Sequence, residues 1–151
     1  MSVTGSIYKV SNKELETYQS KISWNPIVEN KPLFLDSFFS DIYEVLTKYS
    51  DFSEVEISPV IEGKNIIRKD EATIGYSLQS EVKALNELLS TVTEERFVDY
   101  FKQAMSDRAS YVYAYKDQEI YVEGVVNYFN QLKAYFSGAA NDHKCLLHII
   151  G

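Results

Sequence analysis

Only one cysteine, Cys145, occurs in the 151 residues, so no disulfide can form within the chain. The fold must hold by packing alone, and a reducing compartment suits it. Basic residues are the minority: 15 Lys and Arg stand against 22 Asp and Glu, for a net charge of −7. An acidic surface with no basic stripe repels phosphate backbones, which excludes nucleic acid as a partner. No apolar run approaches the roughly 20 residues needed to cross a bilayer, which excludes a helical membrane span. The start, Met1-Ser2-Val3-Thr4-Gly5, lacks a basic segment followed by an apolar one, so it does not read as a secretory signal. These absences together point to a cytoplasmic location. There is no phosphate-binding Walker loop, no dinucleotide glycine fingerprint, no nucleophile elbow and no paired Cys-x-x-Cys. No cofactor and no metal site is expected. Repeats, low-complexity stretches and linkers are missing too, so residues 1–151 read as one domain.

What is present is ordinary globular composition, 45% hydrophobic and 25% charged. A chain of this size buries roughly 68–70% of its unfolded surface, enough for a core without staples. Aromatics are abundant, with 12 Tyr and 8 Phe. Tyrosine is amphipathic, so this number suits either the completion of helix and strand faces or a groove and an interface.

The pattern of elements predicts an α+β domain, with a small mixed sheet packed against about five helices. Val3–Val10 reads as a strand. Ser11-Asn12-Lys13-Glu14 is a capping box that starts a helix near Asn12–Ser20. Lys21–Pro32 reads as a loop, broken by Pro26 and Pro32. Over Leu33–Tyr49 the residues Leu35, Phe38, Phe39, Ile42, Leu46 and Tyr49 share one helical face. Glu54–Ile61 alternates in part and contains Pro59, which predicts an edge strand. Gly63-Lys64-Asn65 reads as a turn, Ile66-Ile67 as a strand fragment and Thr73–Leu78 as a strand. Helices are predicted over Ser80–Val92 and over Thr93–Ser106, the latter capped by Thr93 with Glu94 and Glu95 in its first turn. Asp107–Asp117 reads as a tyrosine-rich loop or irregular strand. A broad-faced helix is predicted over Gln118–Ala140, and the apolar run from Cys145 ends in a strand over Leu146–Ile150.

Chemistry-bearing residues are sparse. His143, Cys145 and His148 contain both histidines and the only cysteine. On a strand, His143 and Cys145 share one face and His148 takes the other, so the three cannot close on one metal. The His143–Cys145 pair leaves a thiolate–base arrangement open, against a plain buried cysteine. On the Leu33–Tyr49 helix, Asp36 and Tyr43 point nearly the same way, with Phe39 between them and the apolar centre. This ridge would line a groove, with Asp36 as base or acceptor, Tyr43 as donor and Phe39 as a wall, unless the loop around Trp24 covers it. Tyr111, Tyr113 and Tyr115 alternate, which would suit the edge of a homodimer or a partner strand.

Several motifs resemble one family. Gly5-x-x-Tyr8-x-Val10-Ser11-x-x-Glu14-Leu15 and Leu35-Asp36-x-x-Phe39-x-x-Ile42-x-x-x-Leu46 are similar to the opening and second helix of the bacterial DUF1877, or YfbM-like, proteins. Gly75-Tyr76-x-Leu78-x-x-Glu81-Val82 and Tyr128-Phe129-x-x-Leu132-x-x-Tyr135-x-x-x-Ala139-Ala140 resemble their strand-to-helix junction and C-terminal part. Where that family commonly carries Lys, Trp and His after the helix Asp, this chain has Ser37, Phe39 and Tyr43. The segment Asp51–Arg68 also lacks a glycine-rich stretch expected there. The resemblance implies an α+β fold and supplies no established activity. Two functional readings follow. One is a non-enzymatic domain binding another protein, as small acidic immunity proteins do. The other is a small-molecule or hydrolytic site along Asp36, Phe39 and Tyr43.

Overall fold

The computed structural model describes residues 5–21, 31–35 and 37–151. In chain order its elements are β1 (Gly5–Val10), α1 (Asn12–Lys21), β2 (Leu33–Leu35), α2 (Ser37–Lys48), α3 (Glu54–Glu62), β3 (Asn65–Lys69), β4 (Thr73–Ser77), α4 (Gln79–Ser90), α5 (Glu94–Ser106), α6 (Glu119–Asn141) and β5 (Cys145–Ile150). A 3-10 helix, Tyr111–Tyr115, lies between α5 and α6.

The five strands form one sheet in the order β2-β1-β5-β4-β3. All four pairings are antiparallel, where a mixed sheet was expected. The strand last in the chain order is therefore the middle of the sheet. The class is α+β, and six α-helices of 9 to 23 residues stand among the described residues where about five were expected.

One face of the sheet carries the main core. Ile7, Leu33, Leu35 and Leu146 pack there against buried residues of α2 to α6. Phe97 and Phe129 stack at 4.1 Å near its centre. The other face meets α1 through Val10, Leu15, Tyr18, Ile74, Cys145 and Leu147. The long helix α6 crosses β1 closely. The Tyr135 hydroxyl accepts from the Lys9 amide at 3.0 Å and donates to the Ile7 carbonyl at 2.9 Å.

Local signals explain most boundaries. The Ser11 capping box forms in both directions, at 2.9 and 3.1 Å, and starts α1. Thr93 caps α5 through the Arg96 amide at 3.1 Å.

Two expectations are corrected. The predicted helix over Leu33–Tyr49 begins only at Ser37. Leu33 and Leu35 point into the core while Phe34 is exposed, a period of two, and the three residues pair with Ile7, Ser6 and Gly5. The apolar stripe beyond them is helical as read, with Phe39, Ile42, Val45 and Leu46 buried. The predicted edge strand over Glu54–Ile61 is the helix α3. A second capping box, Ser53 with Glu56, starts it at 3.1 and 3.2 Å. Pro59 sits inside and removes only the bond that would run to the Val55 carbonyl. Buried Ile57 and Val60 are three apart, as a helix requires. Gly63 ends α3 at φ 86, a left-handed conformation that favours glycine.

Candidate functional site

A cleft of about 750 Å³ opens among α2, α3, the 3-10 helix and the first turn of α6. Its size falls within the range of ligand pockets, roughly 300–1,000 Å³. Four carboxylates, Asp41, Glu44, Glu54 and Glu62, line it together with one lysine, Lys48. Tyr43, Tyr111, Tyr115 and Tyr121 supply aromatic walls, and Phe39, Ile61 and Ile150 supply apolar surface.

The position of α2 follows from its two-sided character. Its apolar stripe enters the core, and Asp41 and Glu44 flank that stripe one turn apart. Both are buried. Each is held by the segment that follows α5. The Tyr121 hydroxyl donates to the Asp41 carboxylate. The Ser110 hydroxyl donates to Glu44 Oε1 at 2.8 Å. Just outside the cleft, the Tyr49 hydroxyl donates to Asp107 Oδ2 at 2.5 Å. These three bonds tie α2 to the 3-10 helix and its flanks. Tyr115 stacks on Tyr121 with centroids 4.1 Å apart, which fixes that wall.

On the α3 side the Tyr43 hydroxyl donates to Glu54 Oε1 at 3.0 Å. Burial, and then the Glu54 carboxylate, push the Tyr43 phenol up to about 12. Burial and Asp41 push Tyr111 and Tyr121 up as well. These phenols stay protonated at neutral pH and act as hydrogen-bond donors. The carboxylates beside them offer negative charge and acceptor oxygens. What the cleft can do chemically is therefore to neutralise positive charge and to present aromatic faces.

The predicted site residues fall in different places. Phe39 and Tyr43 line the cleft, whereas Asp36 and Trp24 lie outside the described residues. Tyr111 and Tyr115 line it also. Tyr113 lies elsewhere, its hydroxyl 2.8 Å from Lys116 Nζ and its ring beneath that ammonium. Because these tyrosines sit on a 3-10 helix, the alternation expected of a strand edge is absent from the segment. Sequence reading missed Asp41, Glu44, Glu62 and Tyr121. One signal for the first two was available: they border an apolar helical stripe, where a solvated charge would normally sit farther round.

Cys145 and His148 take opposite faces of β5, as expected, but His143, expected on the face of Cys145, lies outside the strand. Cys145 and Leu147 face α1, while His148 faces the opposite side and is buried. The Cys145 thiol donates to Asn12 Oδ1 at 3.0 Å, and burial pushes the thiol up. That disfavours the thiolate a nucleophile needs. His143 precedes the strand in a left-handed turn at φ 53 and is exposed. His148 Nδ1 lies 2.7 Å from the Ile61 carbonyl, and burial lowers its pKa to about 4. The neutral ring thus donates from Nδ1. Among the described residues no group of three His, Cys, Asp or Glu side chains could hold a metal ion. No helix among them is long and apolar enough to cross a membrane.

No curated protein matches the sequence. Among solved structures, a protein of unknown function, YfbM from Escherichia coli, shares the fold with a TM-score of 0.71. The identity is 12%, and the alignment covers 98% of this chain and 99% of that one. The family model described as "Domain of unknown function (DUF1877)" matches residues 1–149, and the chain belongs to that family.

Proposed function

We propose that the protein is a binding domain that takes its ligand into the cleft between α2, α3 and the 3-10 helix. The observation that carries this reading is the gathering of four carboxylates and four tyrosines from separate elements around one concavity. The phenols are held protonated beside carboxylates, an arrangement for recognition by hydrogen bonds and charge. It is the small-molecule reading of the sequence moved along α2, keeping Phe39 and Tyr43 and adding Asp41 and Glu44.

A protein partner is the second reading. Tyr111 is 49% exposed at the rim, and Tyr115 is exposed beside it. Tyrosine is enriched where one protein surface meets another. A partner side chain inserted into the cleft would join the two readings.

Chemical-shift mapping tests the site. A metabolite library is screened against the labelled protein, and each hit is titrated into wild type and Tyr111→Ala. Hits should perturb amides of α2, α3 and the 3-10 helix, and the variant should weaken them. If the hits cluster instead on α1 and the opposite sheet face, the cleft is the wrong site.

A further inference from the structure

The cleft contains one group whose chemistry is unfinished. Glu44 is 4% exposed, and only one of its oxygens is engaged by the protein. Its Oε2 is buried with no hydrogen-bond partner among the described residues. A buried carboxylate oxygen left unpaired is costly, and native proteins keep few of them.

We propose that Glu44 receives an alkylammonium group within this cleft, whose walls include the rings of Tyr111 and Tyr115. The proposal rests on the cleft being the binding site and names the class of ligand it takes.

Three features favour such a cation. First, an ammonium already reaches the carboxylate from outside: Lys48 Nζ lies 3.6 Å from Glu44 Oε1. That is longer than the roughly 2.7–2.9 Å of a charge-assisted hydrogen bond. The Lys48 side chain is 63% exposed, so it can swing away and leave the place to another ammonium. Second, Asp41 holds a further carboxylate on the same helix, bonded to Tyr121. One incoming positive charge is attracted by both. Third, the exposed rings of Tyr111 and Tyr115 line the same cleft, and ring faces attract organic cations. A small divalent metal fits less well. It requires six or more oxygens for calcium, or a near-octahedral shell for magnesium, and no such group occurs among the described residues.

The ammonium could come from a free amine or from a lysine of a partner protein. Calorimetric titration of the whole chain separates the sources, with n-butylammonium, Nα-acetyl-lysine N-methylamide and its uncharged norleucine counterpart as probes. At least one amine should bind tenfold or more tightly than the norleucine compound. Glu44→Gln should abolish that preference, with circular dichroism confirming the fold. Lys48→Gln, a change at an exposed side chain, should strengthen amine binding several-fold by removing the resident competitor. Equal affinity for n-butylammonium and the lysine compound indicates a free amine, and a preference for the lysine compound indicates a protein side chain.

Equal binding of the lysine and norleucine compounds would overturn the proposal, as would amine binding unaffected by both variants. So would a Kd for every amine weaker than about 10 mM. If uncharged or anionic compounds perturb the cleft amides while amines do not, the cleft stands and the cation assignment falls. If binding of any probe perturbs only the α1 face, both fall.

Discussion

Gly75→Ala should be among the most damaging single changes in this protein. Gly75 lies in β4, paired with His148 on one side and Ile66 on the other. A Cβ added there would stand 1.8 Å from the Glu62 carbonyl oxygen and 3.0 Å from the Asn65 oxygen. Ordinary carbon–oxygen contacts in sheets run about 3.3–3.6 Å, so roughly 1.5 Å of backbone movement is required. The obstacle is the last residue of α3, not the flexible end of a side chain. Moving it disturbs the adjacent Ile61 carbonyl, which binds buried His148 at 2.7 Å. Overpacking costs roughly 1–3 kcal/mol, and an unmade bond to a buried polar group costs about 1–3 kcal/mol more. The sum centres near 4 kcal/mol, a large share of the roughly 5–15 kcal/mol that holds a domain together. At about 2–4 °C per kcal/mol for this size, the midpoint should fall by around 10 °C. Urea unfolding followed by circular dichroism gives the free energy directly. Gly124→Ala is the internal control. Its Cβ would meet the Phe38 ring at 3.0 Å, a side chain able to yield, and a helix gains roughly 1 kcal/mol from the exchange. That variant should stay within about 1 kcal/mol of wild type. A Gly75→Ala protein equally close to wild type would refute the reasoning from backbone contact.

Other outcomes follow from the same contacts. Ser53→Ala removes the cap of α3 and should cost about 1 kcal/mol by urea unfolding, whereas no loss would mean the capping box is idle. His148 is lowered from 6.5 to about 4 by burial, so the unfolded chain binds its proton first as pH falls. Its stabilising contribution is complete above pH 6.5 and is lost towards pH 4, about 3 kcal/mol in all. Unfolding free energies measured from pH 7 to 4 should show that loss, and His148→Gln should flatten it. Cys145 is fully buried with its thiol pushed up, so a disulfide reagent should label it only as fast as the fold opens. Immediate labelling in the folded state would contradict that burial.

The sequence displayed its helices best where a wide apolar face repeats, as in α6 from Tyr121 to Ala139. It misled where two periods overlap. Leu33-Phe34-Leu35 fits both the strand that forms and the start of the helical stripe that follows, and only pairing with β1 decides between them. Pro59 suggests a strand edge, but Ser53 and Glu56 form the same capping box as Ser11 and Glu14 and start a helix there. The cleft was half visible. Phe39 and Tyr43 could be placed on one helix, since helical spacing is local. The partners Glu54, Ser110 and Tyr121 come from other elements, and no spacing within α2 announces them.

The place of β5 in the sheet has a consequence for how the protein is made. β1 and β4 are separated by the width of one strand, and that strand emerges from the ribosome after both. Until then the chain holds two unjoined fragments, β1 with β2 and β3 with β4, each exposing an unpaired edge. Contacts this distant in sequence form slowly. A nascent chain stalled before Cys145 would therefore display sticky, incomplete sheet to the chaperones and proteases around it. Synthesis of β5 removes those edges, and its six residues act as the closing stitch.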